Sequence, residues 1–229
     1  MPRRRGPSLG TSRAAPKRSV NVSSPRPSLS PWPCFWVRPL ATTGPQFSLT
    51  LGAPSHYSKA ALAAAIRNVP DFPEPGIQFK DITPLLADAS LFRQSVDLLI
   101  GDHPPGSIDA VVGIDARGFI FAAAAALQLN AGFVPVRKKG KLPFKTHEQS
   151  YELEYGANTV AIHVDSIKPG SRVLLIDDLL ATGGTAAAAV TLLKKMDVQL
   201  VEITFLIELE ALKGRSKLPG QKVRSLLTY

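Results

Sequence analysis

Two adjacent carboxylates, Asp177 and Asp178, precede a run of small and hydroxyl residues, Ala181, Thr182, Gly183, Gly184 and Thr185. At neutral pH the carboxylates only accept hydrogen bonds, which suits a pair of neighbouring sugar hydroxyls. The glycines let backbone approach an anion closely, and two threonine hydroxyls stand beside them. Where such a run opens a helix, the first N–H groups and the positive end of the helix dipole receive a phosphate. Before the carboxylates lies Val173 to Ile176, an apolar run typical of a strand buried on both faces of a parallel sheet. After the glycines comes an alanine-rich segment of high helix propensity. Strand, acidic pair, small-residue loop and helix start together make a sugar-phosphate site. The plainer reading is a strand-to-helix turn capped by Thr182 or Thr185, yet such a turn requires neither adjacent carboxylates nor adjacent glycines. It is not a Walker A loop, since no lysine follows the glycines, and it lacks the GxGxxG of a dinucleotide fold.

Arg117 adjoins Gly118 in DARGF, directly after the apolar stretch Asp109 to Ile114. A strand-to-helix junction is where open α/β sheets bind ligands. A guanidinium there can clamp a pair of pyrophosphate oxygens, the alternative being a surface ion pair. Arg137, Lys138, Lys139 and Lys141 surround Gly140 and predict a flexible, electropositive loop running to Gly156, or simply a solvated basic surface. Cys34 is the only cysteine, and His56, His103, His147 and His163 lack ligand spacing, so a protein-ligated metal is not expected.

Elements must position these groups. Ser58 to Asn68 reads as a helix with Ser58 as N-cap, ended by Val69-Pro70. Asp71 to Leu86 carries three prolines and Gly76, so an extended path with a short strand at Ile77 to Ile82 follows. Leu91 to Ile100 is an amphipathic helix closed by Gly101, and Asp109 to Ile114 a strand. Phe119 to Asn130 is a buried helix, and Gly132 to Val136 and Thr159 to Val164 are strands. A helix ending at Lys195, a strand at Gln199 to Ile207 and an edge strand at Lys222 to Tyr229 close the chain. Strands alternating with helices predict an α/β fold with a mostly parallel sheet covered on both faces.

VLLIDDLLATGGT, Val173 to Thr185, resembles the phosphoribosyl pyrophosphate (PRPP) motif of the type I phosphoribosyltransferases, and its ending resembles the adenine phosphoribosyltransferases. ARGF, RKKGKLP, LEYG (Leu153 to Gly156) and GRSKL (Gly214 to Leu218) match further segments of that family in the correct order, over roughly Ala60 to Tyr229. The resemblance implies the type I fold with a small base-binding hood, a flexible catalytic loop, and the reaction of adenine with PRPP to give AMP and diphosphate. It implies PRPP contacts from Asp177, Asp178, Ala181, Thr182, Gly183, Gly184, Thr185, Arg117 and Arg137. Catalytic roles fall on Glu154, Arg117, Lys138 and Lys141. PDFPEPGIQFKDITPLL resembles the start of the adenine pocket, which assigns the base to Gln78, Phe79, Lys80 and Glu154. Gln78 and Lys80 stand where apolar and arginine residues are frequent, and core packing is the alternative for Phe79. The resemblance also implies a homodimer and a magnesium ion carried by PRPP. A different base specificity, or a PRPP-sensing regulator without catalysis, are the competing functions.

Net charge is +9 over 229 residues, but it is unevenly distributed. Residues 1–70 contain ten Lys and Arg and no acid, while residues 71–229 contain seventeen against eighteen Asp and Glu. A nucleic-acid footprint on the body is therefore not expected. No apolar run reaches the eighteen or so residues of a membrane span. Residues 1–56 read as a disordered basic Pro/Ser/Arg-rich extension and residues 57–229 as the phosphoribosyltransferase domain. The extension's arginine- and serine-rich, acid-poor composition also suits an organellar transit peptide, against which stand ten prolines before residue 55. A cytoplasmic location is the expectation.

Overall fold

The computed structural model describes residues 58–152 and 157–229. The expected extension, residues 1–56, and Glu154 lie outside the described residues. The element order is α1 (Lys59–Ala64), β1 (Arg67–Pro70), β2 (Gln78–Asp81), α2 (Thr83–Ala87), α3 (Ala89–Ile100), β3 (Ala110–Ile114), α4 (Gly118–Leu129), β4 (Gly132–Lys138), β5 (Thr146–Glu152), β6 (Ala157–His163), β7 (Arg172–Leu180), α5 (Gly184–Lys195), β8 (Gln199–Glu208) and β9 (Val223–Thr228).

Seven strands form one sheet in the order β5-β6-β4-β3-β7-β8-β9. The five from β4 to β9 are parallel to their neighbours, and β6 and β5 add antiparallel edges. All five residues of β3 are buried. On β7, Leu174 and Ile176 join the core beneath α1 to α4, whereas Val173 and Leu175 join the core beneath α5. Alternation along one buried strand thus serves helices on both faces. From β3 the chain crosses to β4 on one side, and from β7 it crosses to β8 on the other. The carboxyl ends of β3 and β7 therefore flank a topological switch point, where open α/β sheets bind ligands. A separate antiparallel pair, β1 with β2, forms the small hood.

Several local expectations change. The first helix ends at Ala64, because Arg67 and Asn68 pair with Asp81 and Lys80 in the hood. Ser58 occupies the N-cap position without a side-chain capping bond. Helix α3 starts earlier than expected, since the Asp88 carboxylate accepts from the Ser90 and Leu91 N–H groups. Strand β7 does not stop before the carboxylates but carries both and runs to Leu180, paired with β8 as far as Glu208. Much of the expected flexible loop is strand: Arg137 and Lys138 end β4, and β5 pairs with β6 from Thr146 to Glu152.

At the opposite end of the sheet Glu202 is buried among cations. Its carboxylate accepts from Arg224 Nε and Nη2, both at 3.2 Å, and lies 3.3 Å from Lys222 Nζ and 3.1 Å from His103 Nε2. Burial works to raise its pKa, but the Arg224 hydrogen bonds and charge, the His103 hydrogen bond and the Lys222 charge hold it below the usual value. Arg224 also donates to the Leu98 and Leu99 carbonyls and so fastens the end of α3 to the sheet. Arg224→Ala is expected to lower the unfolding free energy by about 2 kcal/mol, because it leaves the buried Glu202 carboxylate with only Lys222 and His103 and frees the Leu98 and Leu99 carbonyls. Urea unfolding checks this, and the double variant Glu202→Leu/Arg224→Leu should lose less.

Candidate active site

The site is assembled from the carboxyl ends of β3 and β7. After β3 the chain turns through Asp115, Ala116 and Arg117 before α4 begins at Gly118. Backbone comes so near β7 there that a Cβ on Gly118 would stand 2.5 Å from Asp177 Oδ1. Arg117 Nε lies 2.7 Å from Asp178 Oδ2. The guanidinium carbon is 5.4 Å from the centre of the Phe79 ring. Phe79 and Arg117 thus bring the hood to the acidic pair. Phe72 meets the Phe79 ring edge-on at 5.2 Å and supports its position.

Asp178 is buried and Asp177 half-buried at one corner of the sheet. Burial, then the neighbouring charge of Asp178, pushes the Asp177 carboxyl well up. Burial also raises Asp178, with Arg117 pulling against it. The Asp178 N–H donates to Asp177 Oδ1 at 3.0 Å, which fixes one carboxylate oxygen of Asp177.

The cradle follows at once. Gly183 caps α5 in the left-handed conformation, φ 76°, and makes no side-chain cap bond. Neither Thr182 nor Thr185 is the N-cap. A Cβ on Gly183 would collide with the carbonyl of Gly214, so both conformation and space require glycine. The amides of Gly184, Thr185 and Ala186 have no carbonyl within the helix to bond, as at any helix start. They are the free N–H donors at the positive end of a twelve-residue helix, the kind of end that can receive an anion.

The structure brings Asp177, Asp178, Arg117, Phe79 and residues Ala181 to Thr185 to one end of the sheet. Arg137 is placed differently: its Nε bonds Asp115 Oδ2 at 3.2 Å and Nη1 bonds the Lys141 carbonyl at 3.1 Å, so it braces two loops. Lys138 and Lys141 are exposed. Lys139 pairs with Glu148 at 2.7 Å. Lys80 leaves Phe79 on the other side of β2, with Nζ on Asn68 Oδ1 at 2.7 Å and 3.8 Å from the centre of the Tyr229 ring. Gln78 is exposed.

Sequence reasoning missed three supports. Asp115 holds Arg137. Tyr151 reaches Thr185 with its hydroxyl. Arg215, held by Glu208 through two bonds of 2.7 Å, fixes the turn whose Gly214 backbone packs against Ala181 and Gly183. Of these only the GRSKL segment offered a signal.

The phosphoribosyl transferase domain family matches residues 91–225. The adenine phosphoribosyltransferase of Acidothermus cellulolyticus is 60% identical over 166 residues, covering 72% of this chain and 94% of the relative. That of Citrifermentans bemidjiense is 57% identical over 168 residues, covering 73% and 98%. Among solved structures, the adenine phosphoribosyltransferase of Rhodothermus marinus superposes with a TM-score of 0.71 at 50% identity, covering 75% of this chain and 98% of the other. The Saccharomyces cerevisiae enzyme, solved with an imino-altritol bisphosphate and adenine, gives 0.71 at 42% identity, covering 75% and 98%. With its switch-point acidic pair, its glycine-held anion cradle and relatives of this identity over nearly their whole length, the chain belongs to the phosphoribosyl transferase family, in its adenine phosphoribosyltransferase branch.

Proposed function

We infer that the chain transfers the phosphoribosyl group of PRPP to adenine, giving AMP and diphosphate. The observation that carries this reading is the convergence of Phe79, Arg117, the Asp177–Asp178 pair and the α5 cradle at one switch point. Residues Ala181 to Thr185 hold the 5′-phosphate through backbone N–H groups and hydroxyls. Asp177 and Asp178 accept from the ribose hydroxyls and fix the ring. Adenine lies against Phe79, with Gln78, Lys80 and Glu154 as its further candidate contacts. As the bond from ribose C1 to pyrophosphate breaks, positive charge develops on the sugar and negative charge on the leaving group. N9 of adenine bonds to C1 as the base loses a ring proton, and Glu154, matched to the family's glutamate near N7, is the proposed acid–base group that donates to N7 or shares the proton relocating on the ring. Arg117, with Lys138 and Lys141 of the basic loop, meets the departing pyrophosphate. Arg137 contributes by bracing that loop on Asp115.

Magnesium fits as an ion carried on PRPP. Asp177 and Asp178 are the hard oxygen donors of the site that would be available to it, and among the described residues no group of three His, Cys, Asp or Glu side chains is placed to hold a metal. When bound it neutralises pyrophosphate charge. Homodimer formation is part of the proposal, with the exposed apolar Ile120 and Leu127 of α4 as its candidate contacts. So are a cytoplasmic location, and a division into an extension over residues 1–56 and a catalytic domain from residue 57. No helix among the described residues is long and apolar enough to cross a membrane.

Incubation with Mg-PRPP and each free base in turn tests the reading. AMP should form from adenine and no nucleotide at comparable rate from hypoxanthine, xanthine, guanine or orotate. Preference for another base would overturn the specificity, and no nucleotide from any base would overturn the activity.

A further inference from the structure

Strand β5 is the sheet's outer edge, yet its residues do not simply face solvent. They lie along α5. Lys195 Nζ, at the end of that helix, donates to the Glu148 carbonyl at 3.0 Å and to Gln149 Oε1 at 3.1 Å. At the other end Tyr151 is partly buried against the core under α5. Its ring covers the helix start so closely that a Cβ on Gly184 would stand 3.0 Å from ring carbon Cδ2. The phenol oxygen lies 3.0 Å from Thr185 Oγ1, and Thr185 donates.

That bond points a cradle proton the wrong way. A threonine hydroxyl has one proton, and here it goes to tyrosine rather than towards the anion-binding amides of the same helix turn. A phosphate is a stronger acceptor than a neutral phenol, since hydrogen bonds to an ionised partner are shorter and stronger. When phosphate enters, the threonine proton turns to it, and Thr185 Oγ1 is left with lone pairs facing the tyrosine O–H. The phenol can then donate.

We propose that Tyr151 is a positioning residue for phosphate binding. Its hydroxyl backs Thr185 in a two-step chain, Tyr151 O–H to Thr185 Oγ1 and Thr185 O–H to the 5′-phosphate of PRPP. Each bond in such a chain polarises the next. The inference rests on the reading of the α5 cradle as the 5′-phosphate site, and it assigns part of that affinity to a residue of β5, a strand outside the PRPP motif. The ring itself packs, and the oxygen does the positioning.

Tyr151→Phe keeps the ring over Gly184 and removes the oxygen. In the full chain it should raise KM for PRPP about three- to fivefold, since a neutral hydroxyl–hydroxyl bond is present with or without phosphate and only its polarised strengthening is lost, with kcat and KM for adenine within about twofold. Thr185→Val should weaken PRPP binding by at least as much, and Tyr151→Phe added to it should change nothing further. Thr185→Ser keeps the chain of hydroxyls and should bind PRPP nearly as the parent does. Titration calorimetry with PRPP on each folded variant gives the affinities directly. If Thr185→Val binds PRPP normally, the cradle assignment itself falls, and the inference with it. If Thr185→Val binds weakly but Tyr151→Phe does not, the cradle stands and the role of Tyr151 is overturned. Multiplied losses in the double variant, or a fall in kcat with KM unchanged, would also overturn it.

Discussion

Asp177→Asn is expected to give a protein that is more stable at alkaline pH and nearly inactive. Burial first, and then the adjacent Asp178 charge, hold the Asp177 carboxyl well above its usual range. The sign follows from linkage. A carboxyl whose pKa is raised by folding stabilises the fold in its protonated form; that contribution is complete below the unfolded value and is lost as pH rises through the folded one. Asparagine resembles the protonated acid in shape, and its carbonyl can still accept from the Asp178 N–H. The melting temperature of the variant should therefore exceed the parent's at high pH, by about 2–4 °C for each kcal/mol of relieved repulsion, and converge with it at acid pH. Turnover should move the other way. The carboxyl group proposed to accept from the ribose becomes an amide, which offers one acceptor and a donor in place of two oxygens, and kcat/KM for PRPP should fall on the order of a hundredfold. Thermal unfolding from pH 5 to 9 and steady-state rates decide the matter. A variant that melts like the parent at every pH would show that the pair carries no strain, and one that turns over normally would remove Asp177 from the site.

The parts of this site that were legible in the sequence are those whose residue types are demanded locally. Val173 to Ile176 reads as buried strand because both its faces are apolar, and Gly183 reads as a turn because its backbone has φ 76° and no space for a side chain. The place of Arg117 at a strand-to-helix junction was legible, but its partners were not, since Asp178 and Phe79 reach it from sequence positions 61 residues later and 38 earlier. The helix-ending error at Ala64 has the same origin. Arg67 and Asn68 have ordinary helix propensity, and pairing with β2 overrides it. The basic run read as a loop because charge and Gly140 suggest solvent, whereas Arg137 and Lys138 are held by pairing with Ala161 and Val160 on β6. Tyr151 carried no sequence signal at all: one tyrosine in an alternating strand resembles any other until α5 is laid against it.

Arg117→Ala should be the most damaging single change at the pyrophosphate end of the site, with kcat/KM for PRPP reduced on the order of a hundred- to a thousandfold. Two losses combine. The guanidinium no longer meets the leaving group, and Asp178, 2.7 Å from Arg117 Nε, loses the cation that offsets its burial. Burial already raises the Asp178 carboxyl and Arg117 pulls it down, so without Arg117 it must rise further. On the proposed reading an ionised Asp178 accepts from ribose, so activity should be lost as pH falls through its folded pKa. The acid limb of kcat/KM should therefore move to higher pH in Arg117→Ala. Arg117→Lys separates the two effects. Lysine restores a positive charge near Asp178 and should return the acid limb towards its parental position. It cannot reproduce the planar fork that binds two oxygens at once, so the rate should recover only in part. A pH–rate profile of the parent and both variants is the measurement. Full recovery of rate by lysine would reduce Arg117 to a point charge, and an acid limb that stays fixed in all three proteins would show that Asp178 titrates independently of it.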